Sequence, residues 1–239
     1  MKNGIKLIAM DLDGTLTQHK SPLSEEHREV LSRLAKRYKL LMVGAGACER
    51  IFRQMGEFPI DIIGNYGMQY AEYDAQTHSL RTVMDAKAPV DRESIEKRIE
   101  ALRREFGFTE YSGRSVEYHS SGCVTFPILG TDARLEDKLA FDPTREKRRA
   151  IFSKVCAAFP EYTVFVGGSS SFDMAPRPYD KEYALSDYCR KRGIAHSETV
   201  YIGDDYGEGG NDSSVYNSDF NYIKIDNYTD FPSLVAHLL

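Results

Sequence analysis

Asp11-Leu-Asp-Gly-Thr15 follows the short apolar run from Ile5 to Met10. In an extended segment, residues two apart point the same way. Asp11 and Asp13 are therefore expected to project together beyond a strand end, with Leu12 turned into the core. Close carboxylates repel unless a cation or a proton settles the charge, and such a pair can divide work. One can be a nucleophile and metal ligand, the other a proton carrier to a leaving group. Gly14 permits a tight turn, and Thr15 offers a hydroxyl and backbone N–H groups to phosphate oxygens. The plainer alternative is a turn whose aspartates cap the next helix. A second acidic set, Gly203-Asp-Asp205 then Gly209-Gly-Asn-Asp212, follows another apolar run. Acidic groups at two strand ends can meet at the carboxyl edge of a parallel sheet, where hard oxygen donors suit magnesium rather than zinc. A solvated acidic loop is the alternative there. Lys181 opens a helix; set among these acids, its ammonium would hold Asp11 ionised and meet a phosphate.

The elements that must position these groups follow from patterning. Short apolar runs at Ile5–Met10, Leu40–Val43 and Pro59–Ile63 read as buried strands. Helices are expected between them, one capped by Ser24 and one from about Cys48 to Met55. Met68 to Met84 reads as a hairpin around Asp74–Ser79. Two helices, Asp91–Phe106 and Pro143–Phe159, then alternate with strands near Ser115–Tyr118, Gly122–Ile128, Thr163–Val166 and Ser171–Ala175. The first rhythm returns with a helix at Lys181–Arg192, strands at Thr199–Ile202 and Tyr222–Ile225, and a terminal helix at Phe231–Leu239. The expected fold class is α/β: a Rossmann-like parallel-sheet core (1–82 and 178–239) with an inserted α+β cap of an antiparallel sheet plus two helices (83–177). The segments Ala86–Pro89 and Pro176–Pro178 are the expected hinges.

Composition narrows the function classes. The chain has 239 residues, 41% hydrophobic and 28% charged, with a formal net charge of -5. This excludes a mainly disordered chain and disfavours a nucleic-acid grip, which needs clustered positive charge. No run of about 18 apolar residues suggests a membrane span, and the first apolar run is too short for a signal peptide. A cytoplasmic protein, monomer or homodimer, is expected, with a small phosphorylated molecule as its partner. Cys48, Cys123, Cys156 and Cys189 lie far apart without a Cys-x-x-Cys pair and read as reduced thiols. The basic run Arg145-Glu-Lys-Arg-Arg149 reads as a solvated helix face.

Taken in order and spacing, Asp11-Leu-Asp-Gly-Thr15, Lys181 and Gly203-Asp-Asp…Gly209-Gly-Asn-Asp212 resemble the haloacid dehalogenase superfamily of phosphotransferases. The resemblance implies Asp11 as the residue phosphorylated and Asp13 as general acid/base. It also implies Lys181 as steadying the aspartyl phosphate, and Mg2+ held by Asp11, the Asp13 carbonyl and Asp204. Asp205, Asn211 and Asp212 would support the metal site. Further segments are similar to eukaryotic-type phosphomannomutases: Leu12-Asp-Gly-Thr-Leu-Thr17, Val43-Gly-Ala-Gly…Glu49-Arg-Ile51, Gly167-Gly-Ser-Ser-Ser-Phe-Asp173, Tyr179-Asp-Lys…Tyr183-Ala-Leu185 and Gly209-Gly-Asn-Asp212. That similarity implies substrate contacts from Ser171 and Asp173.

Two departures shape the functional expectation. Gly46 stands where the family carries Ser or Thr for the transferring phosphate, leaving backbone N–H groups to cradle it. Ser120, Thr131 and Lys138 stand where the resemblance implies cap arginines, and hydroxyls do not replace an arginine fork. Arg134, Arg114 or Arg177 are the candidate substitutes. The sequence thus points first to a Mg2+-dependent phosphohydrolase of a small phosphorylated metabolite, a sugar phosphate, acting through an aspartyl phosphate. The alternatives are a phosphomannomutase-type mutase and a catalytically weak sugar-phosphate binder.

Overall fold

The computed structural model describes residues 4–239. In chain order, the elements are β1 (Leu7–Met10), α1 (Glu25–Leu34), β2 (Lys39–Val43), α2 (Cys48–Gln54), β3 (Asp61–Gly64), β4 (Gln69–Asp74) and β5 (Ser79–Asp85). Next come α3 (Arg92–Phe106), β6 (Glu117–Tyr118), β7 (Val124–Pro127), α4 (Leu135–Phe141), α5 (Glu146–Ala158), β8 (Tyr162–Phe165) and β9 (Ser171–Pro176). The chain closes with α6 (Lys181–Arg192), β10 (Thr199–Gly203), α7 (Ser213–Tyr216), β11 (Asn221–Lys224) and α8 (Phe231–Leu234).

Two compact units result. The first comprises the chain through Ala86, Asp180–Gly207 and Asp212–Leu239; the second comprises Lys87–Tyr179 and Glu208–Asn211. The expected insertion boundary at 83 falls inside β5, which pairs with β4 and stays with the first unit.

The first unit is built on one sheet in the order β11-β10-β1-β2-β3-β4-β5. The first five strands run parallel, and the β4–β5 hairpin adds two antiparallel ones. Alternating side chains divide between two cores. Ile8, Met10, Met42, Ile62 and Ile202 pack with α1 and α2, whereas Leu7, Ala9, Leu41, Val43 and Tyr201 pack with α6. Both faces are covered, so these strands are near-continuous apolar runs. Register then sets the site: Met10 pairs with both Met42 and Ile202, so β1, β2 and β10 end flush at one edge. The chain emerges there as Asp11, whose N–H donates to the Ile202 carbonyl at 3.0 Å.

The second unit has a four-stranded antiparallel sheet, β6-β7-β9-β8. Phe126, Phe172 and Met174 face an apolar cluster with Ile95, Ile99 and Leu102 of α3 and Ile151 and Val155 of α5. The intervening Thr125, Ser171 and Asp173 take the opposite face. Three helices, not the two expected, belong to this unit. The extra one, α4, buries none of its residues, and Leu135 and Leu139 stay exposed. Without an apolar stripe turned to a core it leaves no periodic signal. The expected terminal helix is also corrected: it breaks after Leu234 into a short 3-10 turn. All four cysteines are free thiols. No helix among the described residues is long and apolar enough to cross a membrane.

Candidate active site

Lys181 is the pivot of the first unit's strand-edge cluster. It is the first residue of α6, whose N-cap Asp180 accepts the Tyr183 N–H. Its ammonium is fully buried, 2.8 Å from Asp11 Oδ1 and 2.7 Å from Asp212 Oδ1. Burial alone would lower its pKa, but the two carboxylates override this and hold it above its ordinary value. Asp212 is held from three sides: Lys181 and the Tyr201 hydroxyl (2.6 Å) both donate to Oδ1, and the Asp205 N–H donates to Oδ2 at 3.0 Å.

Asp204 joins across the turn after β1. Thr15 donates its hydroxyl to Asp204 Oδ1 at 2.9 Å, and its N–H goes to the Leu12 carbonyl. The donors expected to serve phosphate are thus spent inside the protein, a correction to the sequence reading. Gly14 is required by this approach: it sits at φ +94, and a Cβ there would lie 2.4 Å from Asp204 Oδ2.

Asp11, Asp204 and Asp212 each offer an oxygen within 4.8 Å of the others, a set that could hold a metal ion. The donors are all hard oxygens, as magnesium prefers. Three carboxylates face one ammonium, so the cluster lacks positive charge. Burial, opposed by Lys181 and reinforced by Asp212 and Asp204, pushes the Asp11 carboxyl up to about 8. Burial and Asp212 push Asp204 up to about 6. A divalent cation is what such a set fits.

Asp13 lies outside this set and has different partners. Its Oδ1 accepts the Lys20 N–H and Gln54 Nε2, both at 2.7 Å, and its Oδ2 faces Arg50 at 3.3 Å. Burial acts to raise its pKa, but the Gln54, Lys20 and Arg50 donors outweigh it and hold the carboxyl below its usual range. Leu12 between the two aspartates is buried in the core. That burial is worth about 1.5–3 kcal/mol and fixes the alternation that separates their roles. Gly46 lies in the loop between β2 and α2, its carbonyl accepting the Asn65 N–H at 2.8 Å.

Ser171 and Asp173 belong to the second unit. Asp173 accepts the Thr125 hydroxyl at 2.8 Å, and that oxygen meets His119 Nε2 at 3.0 Å. Ser171 donates its hydroxyl to the Gly167 carbonyl at 3.1 Å. Asn211 also lies in the second unit, whereas Asp205 and Asp212 lie in the first. The Gly209–Asp212 motif is therefore divided between them. The expected solvated face at Arg145–Arg149 is corrected at Arg148, which is 1% exposed. It pairs with buried Asp142 at 3.0 Å and donates to the carbonyls of Gly167 (2.5 Å), Gly168 (3.2 Å) and Ser171 (3.0 Å). It thereby fixes the loop that leads into β9.

The sequence motifs include Arg50 and Arg148 without assigning them these contacts, and Gln54 and Tyr201 were missed altogether. Arg50 and Gln54 are four apart on α2 and share a face, a spacing that could have flagged them once Asp13 was placed. Nothing local marks Tyr201 within an apolar strand.

A sequence profile of the family described as eukaryotic phosphomannomutase matches residues 27–225. The chain belongs to the eukaryotic phosphomannomutase family. Phosphomannomutase from Saccharomyces cerevisiae is 26% identical over 222 residues, covering 88% of this chain and 84% of that protein. The Encephalitozoon cuniculi phosphomannomutase is 27% identical over 252 residues, with 94% and 90% covered. Among solved structures, an IMP-bound Plasmodium falciparum IMP-nucleotidase aligns with TM-score 0.71 at 14% identity, over 99% of this chain and 69% of that one. A haloacid dehalogenase-like hydrolase from Bacteroides thetaiotaomicron aligns with TM-score 0.56 at 17% identity, covering 97% and 98%. At those identities the likeness is one of fold. The phosphomannomutase-family chain is thus a phosphoryl-transfer enzyme that shares the fold of a haloacid dehalogenase-like hydrolase, a Rossmann-like core with a separate antiparallel sheet. Its relatives' names favour a mutase over the hydrolase that the sequence suggested first.

Proposed function

We propose that this chain is a Mg2+-dependent phosphosugar mutase of the phosphomannomutase type, working through an aspartyl phosphate on Asp11. The observation that carries the reading is Asp11 at the end of β1, held by a buried ammonium and adjoined by Asp204 and Asp212. Asp11 attacks phosphorus in line, and the P–O bond to the sugar breaks as the departing oxygen takes the proton that Asp13, ionised at rest by its donors, has collected from the sugar hydroxyl in the preceding aspartyl-phosphate step. In the return step Asp13 takes a proton from the other sugar hydroxyl, which attacks the aspartyl phosphate. Lys181 opposes the rise of the Asp11 carboxyl, favouring its ionised form, and offsets the charge of the phosphoryl oxygens. Asp11, Asp204 and the Asp13 carbonyl would hold Mg2+, with Asp205, Asn211 and Asp212 in support; the ion supplies charge neutralisation at phosphorus. Ser171 and Asp173 would serve the sugar.

Hydrolysis is the second reading, favoured by the hydroxyl residues Ser120 and Thr131 at positions where arginines would grip a distal phosphate. Thr131 already donates its hydroxyl to Asp132 at 2.8 Å. Incubation of the Mg2+-loaded protein with mannose 1-phosphate and a hexose bisphosphate separates the two. Formation of the 6-phosphate isomer is expected; release of free phosphate without isomer overturns the mutase.

A further inference from the structure

We infer that Arg50 contacts the transferring phosphoryl group, from the space that a side chain at position 46 would otherwise fill. Arg50 is the third residue of α2, and helical side chains lean toward the N-terminus. Its guanidinium comes back over the β2–α2 loop and lies on the Gly46 α-carbon. A Cβ at position 46 would sit 2.1 Å from Nη2, 2.3 Å from Nε and 2.5 Å from Cζ. Gly46 does not have a positive φ, so the backbone there does not itself demand glycine. A side chain there would instead displace the guanidinium.

The tethers of this cation differ in strength. Nη1 donates to Gln54 Oε1 at 2.6 Å, whereas both terminal nitrogens stand 3.3 Å from Asp13 Oδ2. The first is a close hydrogen bond and the second lies beyond the common range. The side chain remains 40% exposed. A planar fork, anchored at one corner and lightly engaged at the other, is able to exchange a long contact for a bidentate grip on phosphate. The alternative donors on this edge are committed: Thr15 to Asp204 and Leu12, and Lys181 to Asp11 and Asp212.

The inference rests on the reading of this edge as a phosphoryl site, so its test measures binding, not turnover. Inorganic phosphate is titrated calorimetrically into the Mg2+-loaded full-length protein, with thermal melting of each variant as a fold control. Arg50→Ala is expected to weaken phosphate binding about tenfold or more. Gly46→Ala adds only the methyl that evicts the guanidinium and is expected to cause a similar loss. The double variant should be no weaker than Arg50→Ala, because both changes remove one contact. Arg50→Lys, which keeps charge but not the fork, should fall between. Wild-type affinity in a folded Arg50→Ala, or losses from Gly46→Ala and Arg50→Ala that add, overturns the role of Arg50. A wild-type chain that takes up no phosphate overturns the phosphoryl-site reading itself.

Discussion

In the first unit, Asp11 and Asp212 share a single buried ammonium, and Asp204 adjoins them. In the second, Arg148 meets Asp142 one to one and gives its other donors to backbone carbonyls. Arg103 is equally buried there, with Ser115 Oγ and the carbonyls of Phe108, Ile128 and Pro127 all within 2.9 Å. Both units place charge where desolvation is costly. The second satisfies it internally and gains a fixed loop and sheet. The first leaves negative charge in excess, and the raised Asp11 and Asp204 carboxyls register that excess. A closed set of charges holds a fold; an open set is what the proposed phosphoryl transfer, with its cation and anionic substrate, calls for.

The largest effect that sharpens this contrast is at Asp11. Asp11→Asn should lower phosphoryl transfer by on the order of 10³-fold or more. It should melt no lower than wild type without metal, because one of the crowded charges is gone. Calorimetry and a coupled isomerase assay read both quantities; an active, well-folded variant breaks the nucleophile assignment. The closed set should respond in the opposite sense. Arg148→Met strands the Asp142 carboxylate and should cost about 3–5 kcal/mol in denaturant unfolding. The double change with Asp142→Asn should recover part of that loss. If Arg148→Met alone unfolds like wild type, the two regions do not differ as described.

Tyr201→Phe removes one donor from Asp212 and should cost about 1.5–3 kcal/mol, with a weaker apparent Mg2+ affinity for activity. The smallest signal is in protons. Asp11 and Asp204 are raised in the folded chain, so without metal the fold binds more protons than the unfolded chain above the ordinary carboxylate range. The stability they contribute is therefore lost as pH rises through about 6 and then about 8. Mg2+ binding should reverse this and release protons near pH 7, measurable in weakly buffered solution. Absence of proton release would show that these carboxylates are already ionised.

Much of this arrangement was legible in the sequence because the strands are short apolar runs and chemistry sits at their ends. Asp11 after Met10 and Asp204 after Gly203 are visible as breaks in hydrophobicity. Lys181 is visible as the start of a helix. Side chains that matter through tertiary approach were not legible. Tyr201 looks like a core aromatic, and only the α6-side face of β10 gives its hydroxyl a carboxylate to meet. Arg148 sits among other basic residues, and burial of one cation among the run's four cannot be read from charge count. Thr15 has the right type for phosphate, but Asp204 arrives from 189 residues away and takes its hydroxyl. Gly46 looks like a loss until the position of Arg50 is known.

The residue on which phosphate becomes covalently attached tests the role of Asp11 most directly. The Mg2+-loaded protein, quenched in acid during turnover of mannose 1-phosphate with a hexose bisphosphate, can be digested and mapped by mass spectrometry. Phosphate on Asp11, absent from Asp11→Asn, is the predicted result. Sustained turnover with phosphate on a different residue, or with Asp11 replaced, would contradict it.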